Sequence, residues 1–380
     1  MNSPDISGRR AIRAVLTALV LTLLSGCGTT YVLQAARGQW QVMRESEPID
    51  KVLSAPGTSE ALRGRLTEVQ AARAFATTEL GLPENDSYRT YADVGRPYVV
   101  WNVVATPEFS VRPQRWCFPV AGCVAYRGYF SERKARAFAD RLRKKGFDVT
   151  LGGVPAYSTL GRFSDPVLNT MLGYGNNELA AIIFHELAHQ VLYVAGDSEF
   201  NEAFAETVEQ AGIERWLKAH GREQEMDKYR VRGRRQMAFM RVFAQARTDL
   251  AQLYSRSLSP EEMRVEKARR FEQLRTDIQM LEKRLGVRSP YRAWYAEGLN
   301  NAHLASVATY YDCVPGFRRV LVSSGNDLQK FFTATRELAT LPKAQRHAQL
   351  CTTVGSEPEP AIEPTPAPDA VTPAAPPVVP

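Results

Sequence analysis

The stretch Phe184-His185-Glu186-Leu187-Ala188-His189-Gln190 decides the fold, because it combines an apolar helical pattern with two histidines one turn apart. Side chains at positions i and i+4 of a helix project from the same face. Two imidazoles placed in this way can bind one Zn²⁺ at ~2.0–2.1 Å each. The surrounding pattern predicts a buried helix over residues 179–195, and the spacing of His185 and His189 predicts a metal site on it.

A third ligand is found in the segment that follows. Glu202 lies 13 residues after His189, at the start of a second predicted helix over residues 201–219. A turn at Gly196-Asp197 can bring that helix back antiparallel to the first. Glu186 is offset from the two histidines around the helix axis, so it points beside the metal and can hold a water molecule.

This arrangement resembles the gluzincin peptidases, including thermolysin and the aminopeptidase N family. The resemblance implies that His185, His189 and Glu202 are metal ligands and that Glu186 is the general base. Glu206, one turn further on, matches the acid that steadies a ligand histidine in thermolysin. The gap between the second histidine and the glutamate is shorter here than in those families. Both Glu202 and Glu206 therefore remain open as the ligand, and the Asn-Glu pair favours Glu202.

Two other stretches carry a closer resemblance. WCFPVAGCVAYRGYF at 116–130 and AYSTLG at 156–161 resemble a bacterial family of putative aminopeptidase lipoproteins, and the resemblance extends from Tyr31 to Cys351. It implies a zinc metallopeptidase with one Zn²⁺, an aminopeptidase activity and a peptide or protein substrate. By resemblance to gluzincins, the stretch 153–161 is a candidate for pairing with the substrate backbone, and an ordinary sheet strand is the alternative.

The expected mechanism needs a group that stabilises the oxyanion. Glu186 would take a proton from the attacking water and pass it to the leaving amine. The oxyanion candidates are His303, Tyr310 and Tyr311, which lie in an apolar helical segment. The alternative for each is a buried side chain that bonds a backbone carbonyl.

Three other functions are alternatives to an aminopeptidase. An endopeptidase that cuts envelope proteins needs no group for a free substrate amine, whereas an exopeptidase needs one, and the candidates are Glu178, Asp165 and Glu297. A non-catalytic envelope adaptor with a structural zinc site is also an alternative. Glu186 argues against the adaptor, because a structural site is closed by four ligands and needs no base. A peptidoglycan amidase or lipid hydrolase lacks a supporting motif.

The N-terminus has the order of a bacterial signal peptide. A basic region with Arg9, Arg10 and Arg13 precedes an apolar run from Ala14 to Leu24, and Leu-Ser-Gly-Cys follows at 24–27. This tetrapeptide resembles the lipobox of lipoproteins and predicts lipidation of Cys27. The next residue is glycine and not aspartate, which by resemblance to known sorting rules predicts an outer-membrane lipoprotein facing the periplasm.

The sequence contains four further cysteines, and in an oxidising compartment they are expected to form disulfides. They allow three pairings, of which Cys117 with Cys123 is local and leaves Cys313 with Cys351 to tie down the C-terminal segment. Free thiols and a second metal site are the alternatives, and neither has a CxxC spacing to support it.

The composition is that of a globular chain, with 44% apolar and 23% charged residues. We predict an α+β fold that is mostly helical, with a small antiparallel sheet packed on zincin-type metal helices. The net charge of +7 shows no basic-aromatic motif, so no nucleic-acid partner is expected. The chain is predicted to consist of a signal peptide 1–26, a metallopeptidase core 27–220, a charged helical hairpin 221–287 with a possible protein partner, a C-terminal helical part of the catalytic domain 288–355, and a disordered Pro/Ala-rich tail 356–380.

Overall fold

The structure is a computed structural model that describes residues 27–118 and 122–351. The predicted signal peptide and the predicted disordered tail lie outside the described residues. The division of the chain into a catalytic core and a hairpin stays a prediction.

The fold is α+β and mostly helical, as predicted. The helices are α1 (Cys27–Arg44), α2 (Ile49–Ser54), α3 (Glu60–Thr78), α4 (Glu132–Arg143), α5 (Asn176–Val191), α6 (Ser198–Ala219), α7 (Glu223–Tyr254), α8 (Pro260–Leu285), α9 (Arg292–Glu297), α10 (Asn301–Tyr311), α11 (Val314–Ser323), α12 (Leu328–Ala339) and α13 (Lys343–Leu350), with a 3₁₀ turn at Asn169–Met171. The strands are β1 (Ser46–Pro48), β2 (Thr90–Ala92), β3 (Val100–Pro107), β4 (Trp116–Phe118), β5 (Gly122–Val124), β6 (Tyr126–Tyr129), β7 (Phe147–Val154) and β8 (Val167–Leu168).

The segment 31–80 is mostly helical and is interrupted twice. α1 ends at Arg44, and the short strand β1 and the short helix α2 precede α3. Pro48 follows the first break and Pro56-Gly57 follows the second. Proline cannot donate a helical hydrogen bond, and glycine disfavours a helix interior, so both breaks have a local cause.

The strands form small sheets. β3 is the centre of an antiparallel sheet with the order β6-β3-β7, and Trp101 pairs with Tyr129 on one side and Gly153 on the other. β1, β2 and β8 form a second sheet in which the β2–β8 pair is parallel, and β4 pairs with β5. The prediction of one small antiparallel sheet was therefore too simple.

One face of the β6-β3-β7 sheet packs on α4. Residues two apart in a strand share a face, and Trp101, Val103 and Ala105 form a buried cluster with Ala135 and Ala139 of α4. The helix α10 also packs on this sheet, against β3 and β7.

The helices α5 and α6 lie at the centre of the largest hydrophobic core. Phe184 of α5 and Phe204 of α6 are fully buried. Gly212 allows the close approach of the two helices, because a Cβ at this position would lie 2.8 Å from the Phe184 ring. The apolar sequence on all sides of α5 is thus explained by burial on all sides.

The charged segment 222–285 forms two long helices, α7 and α8, as predicted. Ser259 caps α8 by accepting from the Glu262 backbone N–H at 3.3 Å, and Pro260 occupies the first turn. The pair buries its own core, including Phe243 and Ile278. The protein partner suggested for this hairpin stays a prediction.

Two disulfides are present, Cys117–Cys123 and Cys313–Cys351. They have the pairing that the sequence analysis favoured. The first links β4 to β5, and the second ties the end of α13 to the start of α11. Within residues 27–118 and 122–351, no helix combines the length and apolar character needed to cross a bilayer.

Candidate metal centre

Three side chains converge between α5 and α6. His185 and His189 on α5 and Glu202 on α6 place one ligand atom each within 4.8 Å of the others, and all three residues are buried. The Oε2 atom of Glu202 lies 3.5 Å from Nε2 of His185 and 3.9 Å from Nε2 of His189. Glu206 does not belong to this group. It lies near a different pair, His185 and Glu209, with one potential ligand atom of each residue within 4.8 Å of the others.

The turn between the two helices is fixed by side chains. The amide of Asn201 accepts from the Val194 backbone N–H at 2.8 Å and donates to the Val194 carbonyl at 2.9 Å. Asp197, just before α6, accepts from Arg346 at 2.9 and 2.7 Å and lies 2.6 Å from Nε2 of His347. The asparagine before Glu202 therefore has a structural role, since it holds the start of α6 against the end of α5.

The polar atoms at this centre lack protein partners. In the described part of the chain, Nε2 of both histidines, Oε2 of Glu202 and both carboxylate oxygens of Glu186 are buried without a hydrogen-bond partner. Buried polar atoms are rarely left unsatisfied in folded proteins. A cation between the imidazoles and the carboxylate would satisfy them, and two imidazoles with one carboxylate are donors that divalent transition metals accept. The residues present therefore fit a divalent metal ion.

The carboxylate that contacts the other nitrogen of His185 differs from the expected one. Oε2 of Glu209 lies 3.1 Å from Nδ1 of His185, whereas Glu206 accepts a hydrogen bond from Gln210 at 2.5 Å. The reason is helical geometry. Glu209 follows Glu202 by two turns and returns to nearly the same face, whereas Glu206 is rotated by about 40°.

Glu186 is fully buried beside the ligand group. Burial raises the pKa of its carboxyl to about 8; the nearby His185 opposes this shift and Glu202 adds to it. Burial, with His185 next to it, lowers the pKa of His189 well below the usual value. His189 is thus held in the neutral form, which is the form that binds metals.

Three tyrosines surround the carboxylates, and none of them was among the predicted site residues. The pKa of Tyr88 is raised by burial and by Glu186, and the pKa of Tyr126 by burial and by Glu202. Burial and Glu202 raise the pKa of Tyr193 to about 12. Tyr193 lies two residues after the end of the helix that carries both histidines. This closeness in sequence is the signal from which a role of Tyr193 at the site could have been predicted.

Tyr88 stands out because its backbone is strained. Its φ is +64°, which a bulky residue rarely adopts, and its buried hydroxyl has no hydrogen-bond partner among the described residues. Arg73 holds the loop by donating to the Ser87 carbonyl at 2.9 Å. The Tyr88 N–H donates to the Asp165 carbonyl at 2.6 Å, and Gln190 of α5 donates to the Ser87 hydroxyl at 3.2 Å. Such strain persists where the surroundings enforce it, often at functional sites.

Comparison with known proteins gives one match. A family model described as "Putative aminopeptidase" matches residues 30–350. The chain belongs to this family. No curated protein matches it, and no solved structure matches it. The resemblance drawn from the sequence is thus confirmed at the level of the family, and membership supports a peptidase that acts on peptide substrates.

Of the three oxyanion candidates in this aminopeptidase-family chain, His303 alone has a side chain within the described residues. His303 accepts from the Asn300 backbone N–H at 3.2 Å, and its ring lies 5.0 Å from that of Trp294. Burial lowers its pKa to about 4. None of these neighbours belongs to the metal group. The side chains of Tyr310 and Tyr311 lie outside the described residues, so their assignment stays a prediction.

The three candidates for binding a substrate amine have different surroundings. Glu178 forms an ion pair with Arg232 of α7, which occupies its carboxylate. Asp165 is buried, its Oδ1 has no hydrogen-bond partner in the described part, and burial raises its pKa to about 6. The side chain of Glu297 lies outside the described residues. Asp165 is therefore the candidate whose surroundings leave an acceptor atom for an amine.

Proposed function

We propose that this member of the putative aminopeptidase family is a zinc-dependent aminopeptidase of the bacterial cell envelope, with a gluzincin-type centre. The observation that carries the proposal is the convergence of His185, His189 and Glu202 beside Glu186. Their polar atoms are buried without protein partners. A base next to an open three-ligand set is typical of catalytic zinc sites, whereas structural sites are closed by four ligands.

In this proposal each residue of the centre has a separate role. His185, His189 and Glu202 hold the metal, and a zinc ion supplies a Lewis acid that acidifies water and polarises a carbonyl group. Glu186 accepts a proton from the water and returns it to the leaving amine. Glu209 fixes the imidazole of His185 through Nδ1.

The edge of the sheet provides a place for the substrate backbone. β7 pairs with β3 on one side. The Val149 carbonyl accepts from the side chain of Asn300 at 3.2 Å, so its backbone groups point away from β3. By the alternation of an antiparallel strand, Leu151 and Gly153 also direct their N–H and C=O groups outward. Strand addition was expected at 153–161, of which only Gly153 and Val154 belong to β7. We propose that an extended peptide pairs with the outward groups of Leu151 and Gly153.

The envelope location rests on the sequence. The apolar run that ends in Leu-Ser-Gly-Cys at 24–27 supports lipidation of Cys27 and an outer-membrane anchor facing the periplasm. The disulfides Cys117–Cys123 and Cys313–Cys351 agree with an oxidising compartment. Both observations support a lipoprotein exposed to the periplasm.

The test compares Glu186→Gln with a matched control, Glu214→Gln. Both residues lie on the two central helices, but Glu214 is half-exposed and pairs with Arg230. We expect both variants to keep about one zinc per chain. Glu186→Gln should lose at least about 100-fold in kcat on aminoacyl reporters, because a general base contributes 10²–10⁴-fold, whereas the control should retain activity.

The substrates separate the alternatives. Cleavage of free aminoacyl reporters with no cleavage of N-acetylated peptides supports an aminopeptidase, and the reverse supports an endopeptidase. Bound zinc with no hydrolysis of either set would reject the enzyme and favour an adaptor. Loss of zinc from Glu186→Gln would contradict the assignment of Glu186 as a base outside the ligand set.

A further inference from the structure

The first described helix exposes a row of large apolar side chains to the solvent. Val32, Leu33, Trp40 and Met43 of α1 are 52%, 64%, 59% and 43% exposed. With Ala36, they form one continuous stripe at helical spacing, which we call the outer face of α1. Only eight large apolar side chains are this exposed in the described residues, and four of them lie on this helix. A cluster of this kind marks an interaction surface.

The opposite side of α1 packs on the protein through apolar and polar contacts, and Val42 on that side is fully buried in the largest core. Gln34 donates to the Gly128 carbonyl at 3.2 Å, and Gln39 accepts from the hydroxyl of Tyr157. Between them, Gly38 lies so close to Phe130 that a Cβ would stand 2.1 Å from the ring. The helix therefore cannot rotate its outer face inward without losing these contacts.

The charges of the outer face are positive. Arg37 and Arg44 are exposed on this side of α1, and the guanidinium of Arg44 lies 4.8 Å from the centre of the Trp40 ring. Arg44 also approaches Glu45 at 3.9 Å, just beyond the end of the helix. Between Tyr31 and Arg44 the sequence has no acidic residue. An apolar stripe bordered by arginines suits an anionic phospholipid surface.

The position of α1 in the chain indicates that a membrane contacts its outer face. α1 begins at Cys27, the residue that we propose to be lipidated. With a rise of ~1.5 Å per residue, Leu33 lies ~9 Å and Met43 ~24 Å from Cys27 along the helix. A bilayer that holds acyl chains at Cys27 is therefore next to the outer face without any intervening linker.

We propose that the outer face of α1 lies in the headgroup region of an anionic phospholipid leaflet. The acyl chains and the helix then both contribute to membrane binding. The enzyme is held in one orientation at the membrane, and the sheet and metal helices remain outside the bilayer. This inference rests on the proposed lipidation of Cys27 and does not depend on the proposed peptidase activity.

The experiment uses residues 27–380 with Cys27→Ser, so that no lipid contributes. Binding to vesicles of phosphatidylethanolamine and phosphatidylglycerol (3:1) is measured by co-sedimentation and by quenching of tryptophan fluorescence with brominated lipid. We expect Leu33→Ser/Trp40→Ser to weaken binding at least about ten-fold. The matched control, Val265→Ser/Met280→Ser, removes two exposed apolar residues of α8 and should bind as the parent does.

Several results would overturn the inference. They are the absence of vesicle binding by the parent, equal binding by the α1 variant, and equal loss in the control. A concentration-dependent dimer in light scattering that the α1 variant abolishes would show instead that the outer face joins two copies of the chain. Hydrolysis of soluble peptides is measured in the same samples. It should be unchanged in the α1 variant, so a failure of the peptidase proposal is seen separately.

Discussion

The contact between Glu209 and His185 gives a quantitative prediction. A carboxylate on the second nitrogen of a ligand imidazole fixes the ring and raises its basicity, and its loss costs 10–100-fold in metal affinity in comparable sites. Oε2 of Glu209 lies 3.1 Å from Nδ1. Glu209→Gln keeps an acceptor but removes the charge, so we expect about ten-fold weaker zinc binding. Glu209→Ala removes both, and we expect about 100-fold, equivalent to ~2.7 kcal/mol.

Glu206 provides the matched control on the same helix. Its carboxylate accepts from Gln210 and makes no hydrogen bond to His185, so Glu206→Gln should change zinc affinity by less than about three-fold. Affinity is measured by competition with a chromogenic chelator at fixed pH, and folding of each variant by circular dichroism. A larger loss in Glu206→Gln than in Glu209→Gln would refute the assignment and restore the role first expected for Glu206.

Three further changes test other parts of the structure. Tyr88→Phe should lower kcat by about 100-fold with zinc content unchanged, because a buried hydroxyl near Glu186 would no longer be available to stabilise charge; an unchanged kcat would exclude Tyr88 from the reaction. Burial alone raises the pKa of Asp197, but His347 and Arg346 outweigh it, so the net pKa is below the usual value. The stabilisation from Asp197 is then present above pH ~4 and lost as pH falls further, and acid unfolding of Asp197→Asn should be less steep in this range than that of the parent. Phe204 is fully buried, and its ring stacks 5.6 Å from that of Phe331; Phe204→Ala should lower the free energy of unfolding by ~3–5 kcal/mol in urea titrations, and a loss below 1 kcal/mol would contradict the packing.

The sequence predicted the central helices because their signals are local. The apolar pattern and the i, i+4 histidines depend on one helix alone, and the observed α5 (Asn176–Val191) overlaps the predicted range 179–195. The cap at Ser259-Pro260 marked the start of α8 in the same way. Pro48 and Pro56-Gly57 are local signals for the two interruptions before α3, and apolar periodicity alone does not show them.

The arrangement around the ligands could not be predicted from spacing within one helix. Which carboxylate reaches His185 depends on how far α6 slides along α5, and that is set by Asn201 and by the approach at Gly212. Tyr88 lies on a loop far from the motif in sequence, and the loop is positioned by Arg73. The orientation of α1 likewise depends on contacts with distant residues, such as Gly128 and Tyr157.

X-ray absorption at the zinc edge tests the central claim most directly. The account predicts about one zinc per chain with two nitrogen ligands at ~2.0–2.1 Å and further oxygen ligands, and the nitrogen contribution should fall when His189 is replaced by alanine. Glu186→Gln should leave the spectrum unchanged. A sulfur-ligated zinc, or a spectrum unaffected by loss of His189, would show that His185, His189 and Glu202 do not form the metal site.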